Sequence, residues 1–255
     1  PVPVPLREED GFAFSADTAL SLITPRTRLI IINSPANPTG GVTPKAELDR
    51  LVAGLEKHPN VAVLWDEIYS QMLYDGREHT TLLSYPEIRD RLILLDGWSK
   101  TYAMTGWRLG YGVWPKGLAE QATRLAINSN SCVNAPTQFA GIAALEGPQD
   151  AVAMMMKAFD ERRRYVHQAL NGLPGVSCVN PAGAFYPFPN TSKTGIKSKA
   201  LETGLLDETG VATISGTSFG VHGEGYLRVS YANSLENIRA AIGRMGDYLE
   251  KRVKS

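Results

Sequence analysis

Four short, almost uninterrupted apolar runs constrain this chain more than any other feature. RLIIIN (28–33), VAVLWD (61–66), LILLDG (92–97) and LGYGVW (109–114) are rich in β-branched residues. Runs of that length without polar alternation are expected of strands buried on both faces of a sheet. Between the first two lies TPKAELDRLVAGLEKH (43–58), with Leu48, Leu51, Val52 and Leu55 at helical spacing, Thr43 as N-cap and Pro44 at the first helical position. Strands alternating with helices imply an α/β fold with a mostly parallel sheet.

After residue 115 the pattern turns helical over 116–128, 135–146 and 148–171. In the last of these, three consecutive methionines read as core filling and Arg162–Arg164 as a solvated face. From about 172 the texture changes: 173–189, 210–216 and 225–232 read as short strands, and 234–252 as a terminal helix capped by Ser234. Two domains are expected, 1–160 as part of a larger one and 161–255 as a smaller α+β domain. The opening PVPVPL resembles an extended segment entered partway through something larger, so a preceding segment is expected.

Charge narrows the partners. Lysine plus arginine equals aspartate plus glutamate, 26 against 26, so no net field draws the chain to nucleic acid or an anionic membrane. No apolar run approaches the ~20 residues that span a bilayer. Two cysteines without metal-ligand spacing, Cys132 and Cys178, read as reduced thiols, and no metal site is expected. A soluble, cytoplasmic protein acting on small molecules follows as the expectation.

In open parallel sheets ligands sit beyond the carboxyl ends of the strands. Those ends deliver Asn37 in NSPANPTGG (33–41), Asp66 and Tyr69 in DEIY, and Lys100 in WSK. Taken singly, the first reads as a turn, Asp66 as a helix cap and Lys100 as a surface charge. Converging on one edge, they form an inventory with a chemistry. A lysine amine forms a Schiff base with a carbonyl, a carboxylate keeps a pyridine nitrogen protonated, and a phenol and an amide hydrogen-bond a ring oxygen. Arginines match phosphate and carboxylate with their planar fork. The inventory suits pyridoxal 5′-phosphate with an amino-acid substrate.

NSPANPTGG, DEIYSQMLYDG, SKTYAMTGWRLGYG, PAGAFYPFP and GYLRVSYANSLENI together resemble the class I/II aminotransferases of fold type I, the aspartate aminotransferase superfamily, in motif order and spacing from about residue 28 to the C-terminus. The resemblance implies a three-layer αβα large domain with an incomplete sheet, plus the small domain. It implies an amino group moved between an amino acid and a 2-oxo acid, in a homodimer. Lys100 would hold the cofactor and shuttle the proton; Asp66 would pair with the ring nitrogen. Tyr69 and Asn37 would bind the ring oxygen, Arg108 the phosphate with a lesser contact from Ser99, and Arg228 the substrate carboxylate, with Asn37 beside it.

Two departures stand out. Relatives often carry a phosphate-binding serine three residues before the lysine, where this chain has Gly97. No stretch matches the family's N-terminal Gly/Ser-rich phosphate loop, ring-stacking aromatic or crossing tyrosine, so the chain is expected to be a C-terminal part. The same motifs also serve carbon–sulfur lyases and eliminating synthases, and a non-catalytic aminotransferase-like fragment is the third reading.

Overall fold

A computed structural model describes residues 1–253, and the chain divides into two units. The first comprises residues 1–6, 13–35 and 42–154; the second comprises 7–12, 36–41 and the chain from Met155.

In the first unit, β1 (Leu29–Asn33), β2 (Ala62–Asp66), β3 (Leu92–Gly97) and β4 (Gly110–Val113) form one sheet in sequence order. The first three are parallel and β4 is antiparallel to β3. Register aligns Asn33 with Asp66 and Asp66 with Leu95, so three carboxyl ends share one edge. Two helices pack against this sheet: α1 (Ala16–Ser21) and α2 (Lys45–Leu55). Leu48, Leu51 and Leu55 of α2 are fully enclosed with Val63, Trp65 and Leu94. Each such side chain contributes about 1.5–3 kcal/mol by leaving water. Arg91 then closes the helix end, donating to Leu55 O at 3.0 Å and His58 O at 2.6 Å.

The double burial expected of all four runs is not met by two of them. β1 alternates, sending Ile30 and Ile32 to the core while Ile31 stays 69% exposed, because no described residue of this unit covers its other face. All four β4 residues are exposed at the opposite sheet edge. Nor does Thr43 cap α2. Its amide donates to Ser34 Oγ at 2.8 Å, and Pro44, which needs no N–H partner, occupies the cap position. α3 (Lys116–Asn130) and α4 (Ala135–Glu146) follow as expected, and Trp98 Nε1 ties the segment after β3 to α4 through Gly141 O at 3.0 Å.

α5 (Asp150–Asn171) runs through the division into the second unit. None of its three methionines is buried, so they do not fill the core as expected. Arg163 also departs from expectation. It is 1% exposed, donates to Asp160 Oδ1 from Nε at 2.9 Å and from Nη2 at 2.7 Å, and reaches Pro181 O at 3.1 Å. Only its neighbours Arg162 and Arg164 keep contact with solvent.

The rest of this unit holds α6 (Ser198–Thr209), β5 (Ile214–Ser215), β6 (Leu227–Arg228) and α7 (Leu235–Glu250). Ser234 caps α7 by accepting from Asn237 N, as its position predicts. The expected strands shrink to the two-residue antiparallel pair β5–β6 and isolated bridges at Ser177, Asn190 and Tyr226. Across 173–189 the prolines at 174, 181, 187 and 189 remove ladder donors.

Candidate active site

Asp66 ends β2. Its backbone carbonyl accepts from Asn33 Nδ2 and Ser34 N, both at 3.1 Å, and its Oδ1 accepts from Ile68 N at 3.1 Å. No cation pairs with it among the described residues. Burial therefore dominates and pushes its carboxyl above the usual range, with the Ile68 amide opposing and the Glu67 charge adding.

The chain turns at once. Ser70 N donates to Glu67 O and Met72 N to Tyr69 O, each at 2.7 Å, and this turn buries Tyr69 to 3% exposure. Beyond β3 a second turn, closed by Tyr102 N to Trp98 O and Ala103 N to Lys100 O, presents Lys100. Lys100 Nζ lies 5.8 Å from the centre of the Tyr69 ring. The first unit thus gathers Asp66, Tyr69 and Lys100 at the shared strand edge. Ser99 is part-buried there and its side chain makes no hydrogen bond among the described residues.

Arg108 is exposed, adopts a left-handed φ of 55°, and donates to Thr105 O at 2.9 Å. It lines a cavity of 1020 Å³ with Trp107, Asn130, Ser131, Cys132 and Thr137. Neither Lys100, Asp66 nor Tyr69 lines that cavity. Gly97 has a steric reason. A Cβ there would stand 2.8 Å from both Gly110 Cα and Leu109 O, so no serine fits unless β4 moves.

The second unit brings together Asn37 and Arg228. Gly40, at φ 69°, shapes the Asn37 loop by accepting from Ala182 N and Gly183 N at 3.0 and 2.9 Å, and a Cβ on it would meet Tyr186 O at 2.7 Å. Arg228 Nη1 donates to Asn37 Oδ1 at 2.9 Å. Its guanidinium carbon stands 4.6 Å from the Tyr186 ring centre and 5.1 Å from that of Phe219, which fixes the plane of the fork.

Several groups were not singled out from the sequence. Tyr186 lies inside PAGAFYPFP, where aromatic content is the available signal, and Phe219 lies between the quoted motifs. Asp96 is half-buried, accepting from Gly97 N at 2.7 Å and Tyr111 OH at 3.3 Å, and burial raises its carboxyl to about 6. Glu67 is buried on the core side of β2, a position that period-two alternation assigns to an apolar residue.

Sheet, strand-end lysine and paired arginine define a class. The family model for aminotransferase class I and II matches residues 1–245, and the chain belongs to that family. It is 40% identical over 252 residues to an aspartate aminotransferase of Pyrococcus horikoshii, covering 98% of this chain and 64% of the relative. It is 37% identical to aromatic-amino-acid aminotransferase 2 of Thermococcus litoralis, covering 99% of this chain and 65% of the relative. The crystal structure of an aromatic aminotransferase from P. horikoshii superposes with a TM-score of 0.94 at 38% identity, over 99% of this chain and 67% of that one. The fold is accordingly the aspartate aminotransferase-like α/β fold, and the chain spans about 64% of the length of the first curated relative it matches.

Proposed function

We propose that the protein is a pyridoxal-phosphate-dependent aminotransferase that moves an amino group between an amino acid and a 2-oxo acid. The observation that carries this reading is the gathering of Asp66, Tyr69 and Lys100 at the ends of adjacent parallel strands. The donor set fits the cofactor. Asp66 is a half-buried carboxylate with no cation paired to it among the described residues, which suits a protonated ring nitrogen. Tyr69 and Asn37 offer a phenol and an amide for the ring oxygen; Arg108 and Ser99 offer donors for phosphate. When bound, the cofactor supplies an electron sink for negative charge developing at the substrate α-carbon.

The chain's own residues then divide the work. Lys100 holds the cofactor and moves the proton at the α-carbon through Nζ. Asp66 keeps a proton on the ring nitrogen, and its scarcity of other partners makes that the favoured way to satisfy its charge. Arg228, its plane set by two rings and one N–H engaged by Asn37, turns its remaining donors to the α-carboxylate and so orients the α-C–H bond. The same reading takes 1–160 as part of the cofactor-binding domain and 161–255 as the small domain, in a cytoplasmic homodimer.

The test is the visible spectrum of the protein with pyridoxal 5′-phosphate, followed by borohydride reduction and peptide mapping. A yellow protein labelled at Lys100, losing both colour and label in Lys100→Ala, is the expected result. Label on another lysine, or colour persisting in Lys100→Ala, overturns it. Formation of 2-oxo acid only when an amino acceptor is present separates transamination from elimination.

A further inference from the structure

Glu67 is a carboxylate at 6% exposure, and burying such a group is costly without partners. Its Oε2 accepts from Trp65 Nε1 at 2.8 Å and lies 2.7 Å from His79 Nε2. A carboxylate oxygen can only accept, so His79 carries its proton on Nε2. The His79 ring also stacks on Trp65, centroids 6.3 Å apart and planes 26° from parallel. Glu67 is equally committed through its backbone: its N–H donates to Leu95 O on β3 at 3.0 Å, and its carbonyl takes the Ser70 N–H that closes the Tyr69 turn.

Between Glu67 and His79 the chain forms turns with a single bridge residue, Leu73, and it carries a left-handed pair, Asp75 and Gly76. Tyr69 sits in this segment. The turn that carries it, 5.8 Å from Lys100 Nζ at the ring centre, begins at Glu67. At the far end of the segment, the bond between His79 and Glu67 ties the chain back to β2. We propose that Glu67 and His79 are positioning residues that fasten the 67–79 loop and thereby hold the Tyr69 phenol in place. The loop closure stands on its own; its bearing on the cofactor rests on the role proposed above for Tyr69.

Amide hydrogen exchange tests the closure without any cofactor. In His79→Leu, the amides of Ser70 and Met72 are expected to exchange about tenfold faster, the equilibrium worth of a hydrogen bond to a charged group, while β2 and β3 keep their protection. His79→Gln, which retains an N–H donor, is expected to restore most of the protection. Unchanged exchange in His79→Leu overturns the proposal. If that variant does not fold, His79→Phe, which keeps a ring to stack on Trp65 but has no N–H for Glu67, decides it by the same amides.

Titration with pyridoxal 5′-phosphate, followed by absorbance, tests the action through Tyr69. His79→Leu is expected to weaken binding about tenfold in the parent and less than about twofold in a Tyr69→Phe background. Equal losses in both backgrounds overturn that action. A parent that takes up no cofactor refutes the proposed function while leaving the exchange result to decide the loop.

Discussion

In the sheet-bearing unit Asp66 and Asp96 lie half-buried at strand ends with no cation paired to either among the described residues, and burial raises both carboxyls. In the other unit Arg163 is buried more deeply and is saturated, with two bonds to Asp160, one to the Pro181 carbonyl, and Arg164 bracing Asp160 from the far side at 2.6 Å. Both arrangements remove charge from water. One leaves it in need of a partner and the other does not. A strand-end carboxylate without a paired cation can bind a proton-bearing group; an arginine whose charge is already paired holds structure.

Four substitutions bear on that contrast. Asp66→Ala is expected to lower turnover about 10³-fold while the reducible adduct at Lys100 persists, since the electron sink is lost; near-normal steady-state rates would place Asp66 with the structural charges. Arg163→Ala is expected to cost about 3 kcal/mol in urea unfolding, at the low end for breaking a buried pair because Asp160 keeps Arg164. A cost below about 1 kcal/mol would erase the contrast, as that is the scale of a surface ion pair. Arg228→Leu tests the second unit's working charge. It is expected to raise KM about 30-fold with a smaller change in kcat, the worth of hydrogen bonds to a charged carboxylate, and an unchanged KM would assign the carboxylate to another group.

The smallest effect belongs to Asp96. Its folded value of about 6 lies above the ordinary carboxylate value, so the folded state holds the proton more tightly than the unfolded chain does. That contribution is fully present below about pH 4 and is lost as pH rises to 6. Discounted for its solvent exposure, it amounts to about 1 kcal/mol. Asp96→Asn should therefore be more stable than the parent at pH 7.5 and equal to it at pH 3.5. Urea midpoints at the two pH values decide the matter, and a constant difference between them would mean that Asp96 does not titrate as its burial requires.

Legibility in the sequence follows the same division. β1, β2 and β3 were readable because a strand's apolar run is a local signal, and a strand's end fixes where the next polar residue emerges. Asp66 and Lys100 came with them. Arg163 was not readable, since three consecutive arginines look alike until Asp160 and Pro181 are brought to one of them. α6 escaped notice because Gly204 and scattered polar residues blur its period, although Leu201 and Leu205 are fully buried. The pairing of Arg228 with Asn37 joins residues 191 apart, and no periodicity reaches that far. Motif resemblance supplied what local physics could not.

The close approach at Gly97 reaches beyond this one chain. A Cβ at 97 would press on Gly110 Cα across the β3–β4 pair, so the two positions share a single allowance of space. A lineage that gains a hydroxyl at 97 must first spread these strands, and one that closes them must surrender it. Across an alignment the identity of 97 should covary with the spacing around 110, so a historical reconstruction treating them as independent characters would count one event as two.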